Sequence, residues 1–114
     1  MGARDDRRGD GLRALVVGCG LGADAEFLAS LGFATTAFDL SPNAVATARS
    51  RHPGSVVDYR VADLLWPPAE WAGVFDLVVE IFTIQAMPDP LRSQAIPSIT
   101  GFVAPGGTLF AVAF

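Results

Sequence analysis

The chain has 114 residues, 51% hydrophobic and 18% charged, which allows a single globular domain with a modest core and excludes a disordered polymer. Net charge is −4 and all 8 cationic side chains are arginine; those near the N-terminus alternate with Asp5, Asp6 and Asp10, so no basic patch for nucleic acid is visible. One cysteine excludes an internal disulfide, one histidine argues against a protein-built metal site, and no uncharged apolar run or signal-like N-terminus points to a membrane, so the expectation is a cytoplasmic protein with a small-molecule partner.

Residues 1–11 read as a polar lead-in and residues 12–114 as one folded unit. The run Leu15-Val16-Val17 has the apolar, β-branched look of a central parallel strand over Arg13 to Val17. Gly18, Gly20 and Gly22 follow, and a helix is expected from Ala23 to Leu31, with Phe27, Leu28 and Leu31 as its apolar stripe and Gly32 as its stop. Phe33 to Phe38 suits a second strand, with Asp39 at its end. Ser41-Pro42 is a helix start, serine as N-cap and proline in the first turn, and Pro53-Gly54 closes that helix after about Arg51.

Val56 to Val61 is expected as a third strand, with Asp58 and Arg60 on one face of a sheet edge. Leu64 to Gly73 reads as a connection packed through Trp66 and Trp71, with Asp63 just ahead of it. Val74 to Ile81 is a second buried strand, carrying Glu80 near its end. Phe82, Gln85 and Met87 belong to a loop expected to roof a pocket. Asp89-Pro90 starts a third helix, which Pro97 is expected to kink or split. Pro105-Gly106-Gly107 reads as a turn before a last strand, Thr108 to Phe114.

Short apolar strands alternating with helices predict an α/β fold, a Rossmann-like, mostly parallel sheet of order 3-2-1-4-5. The order reverses beside the first strand, which opens a crevice at the carboxyl ends. The glycine turn, Asp39, Asp63 and Glu80 all fall at such ends. The glycines permit a sharp turn and close approach of a ligand, although Gly18, Gly20 and Ala23 also fit a dinucleotide fingerprint. Asp39, 19 residues after Gly20, can accept from both hydroxyls of a ribose, or can simply cap the Ser41 turn. Asp63 can accept from the amine of adenine while the Leu64 N–H meets a ring nitrogen, or can be a solvated loop residue. Pro42, Val61, Leu64 and Leu65 are candidates for the apolar faces of that ring. Glu80 either lies in a structural ion pair or faces the charged end of a cofactor. Asp24 reads as a helix-dipole partner, Cys19 as a small core residue and His52 as a surface residue.

Five blocks in this order carry a resemblance: VVGCGLG (16–22), FDLSPNAVATAR (38–49), YRVADLL (59–65), FDLVVEIFTIQAMP (75–88) and PGGTLFAVAF (105–114). The chain resembles a class I S-adenosylmethionine-dependent methyltransferase of the small-molecule type. It is similar to thiopurine S-methyltransferase-like and bacterial methyltransferase-domain families. The resemblance implies S-adenosyl-L-methionine as cofactor, held by Gly18, Cys19, Gly20, Gly22, Asp39, Leu40, Asp63, Leu64 and Glu80. It also implies Glu80 as the catalytic candidate and a small-molecule acceptor.

The family often has an acidic residue where this chain has Val16. It also continues with a sixth and a seventh strand, whereas this chain is expected to lack both and to behave as a truncated copy, with the last strand an apolar edge open to dimerisation. The alternatives are a non-catalytic adenosyl-cofactor-binding or dimerising module and a nicotinamide-dependent oxidoreductase fragment. The second leaves Asp63 and the FDLVVEI…PGG combination unexplained.

Overall fold

The computed structural model describes residues 11–81 and 87–112. The expectations for residues 1–10, for Phe82 and Gln85, and for the last two residues lie outside that set. Five strands, β1 (Arg13–Val17), β2 (Ala34–Asp39), β3 (Asp58–Val61), β4 (Phe75–Ile81) and β5 (Val103–Val112), form one sheet in the order β3-β2-β1-β4-β5. Every neighbouring pair is parallel. Between them lie α1 (Ala23–Ser30), α2 (Pro42–Arg51), a short 3-10 turn (Ala69–Trp71) and α3 (Asp89–Phe102). The expected α/β class and strand order are therefore those observed. Among the described residues no helix is long and apolar enough to cross a membrane.

The pleat divides the core into two halves. Ala14, Val16, Ala37, Tyr59 and Val79 face α1 and α2, meeting Ala25, Leu28, Val45 and Ala48. Leu15, Val17, Phe38 and Val78 face the other way, meeting Ala95, Ile99 and Phe102 of α3 together with Trp71. Central parallel strands bury both faces, which is why their sequences run apolar without alternation. Trp71 is only 3% exposed. Its ring lies 5.1 Å from Phe38, 6.1 Å from Phe102 and 6.3 Å from Phe75, in the tilted and edge-on geometries that aromatic quadrupoles favour.

The edges match their residues. On β3, Arg60 pairs with Asp58 at 3.0 Å, both half-exposed, and α2 sends Arg49 Nη2 to donate to the Tyr59 carbonyl at 2.5 Å. Ser41 accepts from Ala44 N at 3.2 Å with Pro42 behind it, as the cap logic requires.

Several local expectations are corrected. Phe27 is 62% exposed rather than part of the α1 stripe; the buried residues of α1 are Ala25 and Leu28. Trp66 is 84% exposed and packs nothing into the core. It closes a tight turn in which its N–H donates to the Asp63 carbonyl at 3.0 Å. β3 begins at Asp58, two residues later than expected. Pro97 does not split α3, which runs unbroken for 14 residues. Pro97 is on the exposed side, as is Ser93, whose carbonyl Pro97 leaves without an N–H, while Ala95, Ile99 and Phe102 hold both halves to the sheet.

The Pro105-Gly106-Gly107 turn is a bulge inside β5 rather than a boundary. Val103 pairs with Phe75 and Thr108 with Leu77, so the intervening segment arches out opposite Asp76. Gly106 takes φ 80°, and a Cβ on Gly107 would lie 2.9 Å from the Ala104 carbonyl oxygen.

Trp71→Ala opens the aromatic cluster beneath the sheet and is expected to cost ~3–5 kcal/mol of stability. Urea unfolding followed by circular dichroism measures it; a loss within the scatter of surface substitutions would show that the cluster collapses around the gap.

Candidate functional site

The site begins where β1 leaves the sheet. Gly18 N donates to the Phe38 carbonyl at 2.9 Å, extending the β1–β2 ladder by one bond, and Gly22 N then closes a turn on the Cys19 carbonyl at 2.9 Å. The three glycines take φ of 82°, 52° and 94°, values that side chains rarely tolerate. α1 starts with Gly22 as its N-cap and has no side-chain cap.

A cavity of about 470 Å³ opens beside this turn at the carboxyl ends of β1, β2 and β3, within the range of small-molecule sites. Val17, Phe38, Leu40, Leu64, Leu65, Met87 and Leu91 give it apolar walls; Gly18 forms its floor, and Asp39 and Asp63 bring carboxylates. Asp39 Oδ1 accepts from Ser41 N at 3.0 Å and Asp63 Oδ1 from Leu65 N at 2.9 Å. The capping reading of Asp39 is thus realised, and the same residue also lines the cavity. Each turn takes one carboxylate oxygen and so fixes the orientation of the whole group. Ala62 N donates to the Asp39 carbonyl at 3.0 Å, tying the two segments together.

The structure brings Gly18, Asp39, Leu40, Asp63 and Leu64 to one cavity, with Met87 at its roof. Val61 and Pro42 are exposed and are not among its walls. The Cys19 side chain is buried in the half-core facing α1 and α2. Burial pushes its thiol up, the charge of Asp39 adds to this, and a backbone hydrogen bond only partly opposes them, so it stays protonated and inert at neutral pH. Glu80 is 4% exposed at the end of β4, opposite Val17 in register and Ala111 on its other side; it adjoins the cavity wall without being among the lining residues.

Gly22 proves to be a packing position. A Cβ there would lie 2.5 Å from the Tyr59 hydroxyl and 3.0 Å from the His52 ring. Behind the glycine turn, on the face away from the cavity, stands a polar cluster that motif reading missed. Glu26 Oε2 accepts from Tyr59 Oη at 2.5 Å and from Ser55 Oγ at 2.6 Å. His52, expected on the surface, is half-buried with Nε2 3.1 Å from the Leu21 carbonyl oxygen. The available signals were Glu26 in the first turn of α1 and Tyr59 as the one tyrosine in the chain; nothing in their spacing links them.

Burial works to raise the Glu26 carboxyl, but hydrogen bonds from Ser55 and Tyr59 and the nearby His52 outweigh it and hold the group below the usual range. Tyr59 is pushed well above the ordinary phenol value, first by burial and then by its bond to Glu26 and that residue's charge.

Residues 14–107 match the methyltransferase-domain family. A ubiquinone biosynthesis O-methyltransferase of Xanthomonas axonopodis pv. citri is 42% identical over 102 residues, covering 88% of this chain and 42% of that protein. A SAM-dependent methyltransferase from Methanosarcina mazei superposes with TM-score 0.81 at 27% identity, covering 94% of this chain and 54% of that one. The N-methyltransferase NodS from Bradyrhizobium japonicum gives 0.73 at 29%, covering 89% and 57%. The chain spans less than half the length of the curated relative it matches.

Because the folded-state carboxyl of Glu26 is lowered, its contribution to stability is complete above the ordinary carboxylate range and is lost as pH falls through the depressed value. Glu26→Gln is therefore expected to lower the melting temperature at neutral pH and to lose that deficit in acid. A deficit that persists unchanged in acid would contradict the assignment.

Proposed function

The chain belongs to the methyltransferase-domain family, and on that premise we propose that it binds S-adenosylmethionine and transfers the methyl group to a small-molecule acceptor. The observation that carries the reading is the chemistry of the cavity. Its fixed side-chain groups are hydrogen-bond acceptors, Asp39 and Asp63, set in apolar walls. That donor–acceptor set suits a ligand presenting a ribose diol and an adenine amine between hydrophobic faces.

The start of α1 favours the same ligand over a dinucleotide. Pyrophosphate sites use the positive end of a helix, but the first turn of α1 carries Asp24 and Glu26. Two carboxylates there repel a diphosphate and complement a cationic group. No lysine is present to reverse the sign.

In this reading Asp39 accepts from the ribose hydroxyls, its angle set by the bond from Ser41. Asp63 accepts from the adenine amine, with the Leu64 backbone N–H beside it. Phe38, Leu40, Leu64 and Leu65 cover the ring, and Gly18 with Gly20 leaves room for the amino-acid portion. S-adenosylmethionine supplies an activated methyl group on a sulfonium, so the protein's task is alignment rather than acid–base work. Glu80, beside Val17 at the end of β4, is the residue proposed to orient the acceptor. The outer edge of β5, where Phe110 is 57% exposed, is the surface proposed for pairing with a second copy.

Calorimetric titration of the 114-residue protein with S-adenosylhomocysteine, with NADH alongside, tests the reading. Micromolar binding of the first and none of the second is expected. Asp39→Asn keeps an oxygen for the Ser41 N–H and removes the charge, and should weaken binding by about tenfold or more, since hydrogen bonds to charged groups contribute roughly 1.5–3 kcal/mol. Glu80→Gln should lower turnover more than affinity. NADH binding, or full affinity in the Asp39 variant, would overturn the ligand or the ribose assignment respectively.

A further inference from the structure

The turn from Gly18 to Gly22 contains three glycines and no β-branched side chain, so its own sequence gives it little rigidity. A ligand site built on such a turn needs the backbone held from outside. The cavity side cannot do this, because it must stay open. The opposite face of the sheet carries the constraint. There the Tyr59 hydroxyl abuts Gly22 and reaches its carbonyl at 3.5 Å, while His52 Nε2 lies 3.1 Å from the Leu21 carbonyl oxygen.

Glu26 organises this contact. Its Oε2 accepts hydrogen bonds from the Tyr59 and Ser55 hydroxyls, and Ser55 Oγ in turn accepts from Val57 N at 3.0 Å. Glu26 N also donates to the Gly22 carbonyl at 2.9 Å. One residue of α1 thereby joins the end of the glycine turn to β3 and to the segment that leads into it. Ala37, the β2 neighbour of Tyr59 in register, is small enough to leave room for the ring.

We propose that Glu26 and Tyr59 are positioning residues of the glycine turn: the carboxylate, by accepting from the Tyr59 hydroxyl, fixes that hydroxyl against Gly22 and backs the turn from the side away from the cavity. Neither residue lines the cavity, so both act through the backbone of residues 20–23. One carboxylate oxygen, shared by the two hydroxyls, keeps both in place, and the depressed Glu26 carboxyl and elevated Tyr59 phenol keep acceptor and donor in those forms across neutral pH. The proposal rests on the adenosyl-cofactor reading for what the turn binds, and on the geometry alone for what holds the turn.

Amide hydrogen exchange of the ligand-free protein, paired with S-adenosylhomocysteine titration, separates the two. Tyr59→Phe and Glu26→Ala should each speed exchange at Gly20 to Ala23 on the order of tenfold, with β1 and β4 unchanged, and should weaken S-adenosylhomocysteine by a similar factor. Glu26→Gln keeps a carbonyl acceptor and should restore part of both effects.

Unchanged exchange at the turn overturns the proposal. So does a uniform rise across β1 and β4, which would mean a general contribution to stability. Should Glu26→Ala fail to fold, Tyr59→Phe, which keeps the ring packed, decides. Accelerated exchange in variants of a protein that binds no S-adenosylhomocysteine would uphold the positioning role and overturn the cofactor reading.

Discussion

Everything in this structure depends on β1 being paired on both edges. Ala14 to Val17 face Thr35 to Phe38 on one side and Leu77 to Glu80 on the other. With both edges of β1 taken, the chain that leaves it at the glycine turn has to cross a face of the sheet to reach its next strand position. The next strand to pair on one side is β2 and on the other β4, and right-handed crossovers therefore place α1 and α2 on one face and α3 on the other. The space between those diverging connections is the cavity. Its position at the carboxyl ends of β1 to β3 follows from connectivity before any site residue is considered.

The two faces of the sheet then solve different problems. Beneath the cavity the half-core is aromatic: Phe38, Trp71, Phe75 and Phe102 lock the floor of β1 and β2 by area and shape. Behind the glycine turn the half-core is built from small residues, Ala14, Ala25, Ala37 and Ala48 among them, and small residues let α1 and α2 approach the sheet closely. Close approach brings the Glu26 carboxylate over Tyr59, and the polar cluster does there what bulk does on the other side. A buried hydroxyl without its acceptor would cost ~1–3 kcal/mol, so Tyr59 and Glu26 each need the other.

What the sequence discloses follows the range of the forces involved. The strands Arg13–Val17 and Phe75–Ile81, the Ser41-Pro42 helix start and the order of the sheet are local or statistical properties, and they are plain in the residues. So are the carboxylates at Asp39 and Asp63, because they sit at strand ends. Failures arise where a distant neighbour decides. Phe27 has the right spacing for an apolar stripe, but it borders an open groove with Leu77, Val79 and Phe110 and stays 62% exposed. Trp66 and Trp71 look equivalent in sequence, yet a tight turn leaves the first outside and only the second meets Phe38. Pro97 breaks an isolated helix but not one clamped to a sheet at Ala95, Ile99 and Phe102. Gly22 carries the signature of a ligand loop, and only the fold reveals Tyr59 against it.

That last case bears on how glycine motifs are read. A glycine between a strand and a helix serves the ligand on one side of the backbone or a packing partner on the other, and the motif does not distinguish them. Here the turn uses both: Gly18 borders the cavity, while Gly22 is closed off by the Tyr59 hydroxyl. The charge of the following helix turn is the more discriminating signal. Asp24 and Glu26 put negative charge where a diphosphate would need the bare helix end, and Glu26 has no freedom to move aside because its oxygen is engaged by Tyr59 and Ser55. Asp24 and Glu26 together disfavour phosphate at the turn, and Glu26, in the role proposed for it, is the one of the two that also ties the turn to β3.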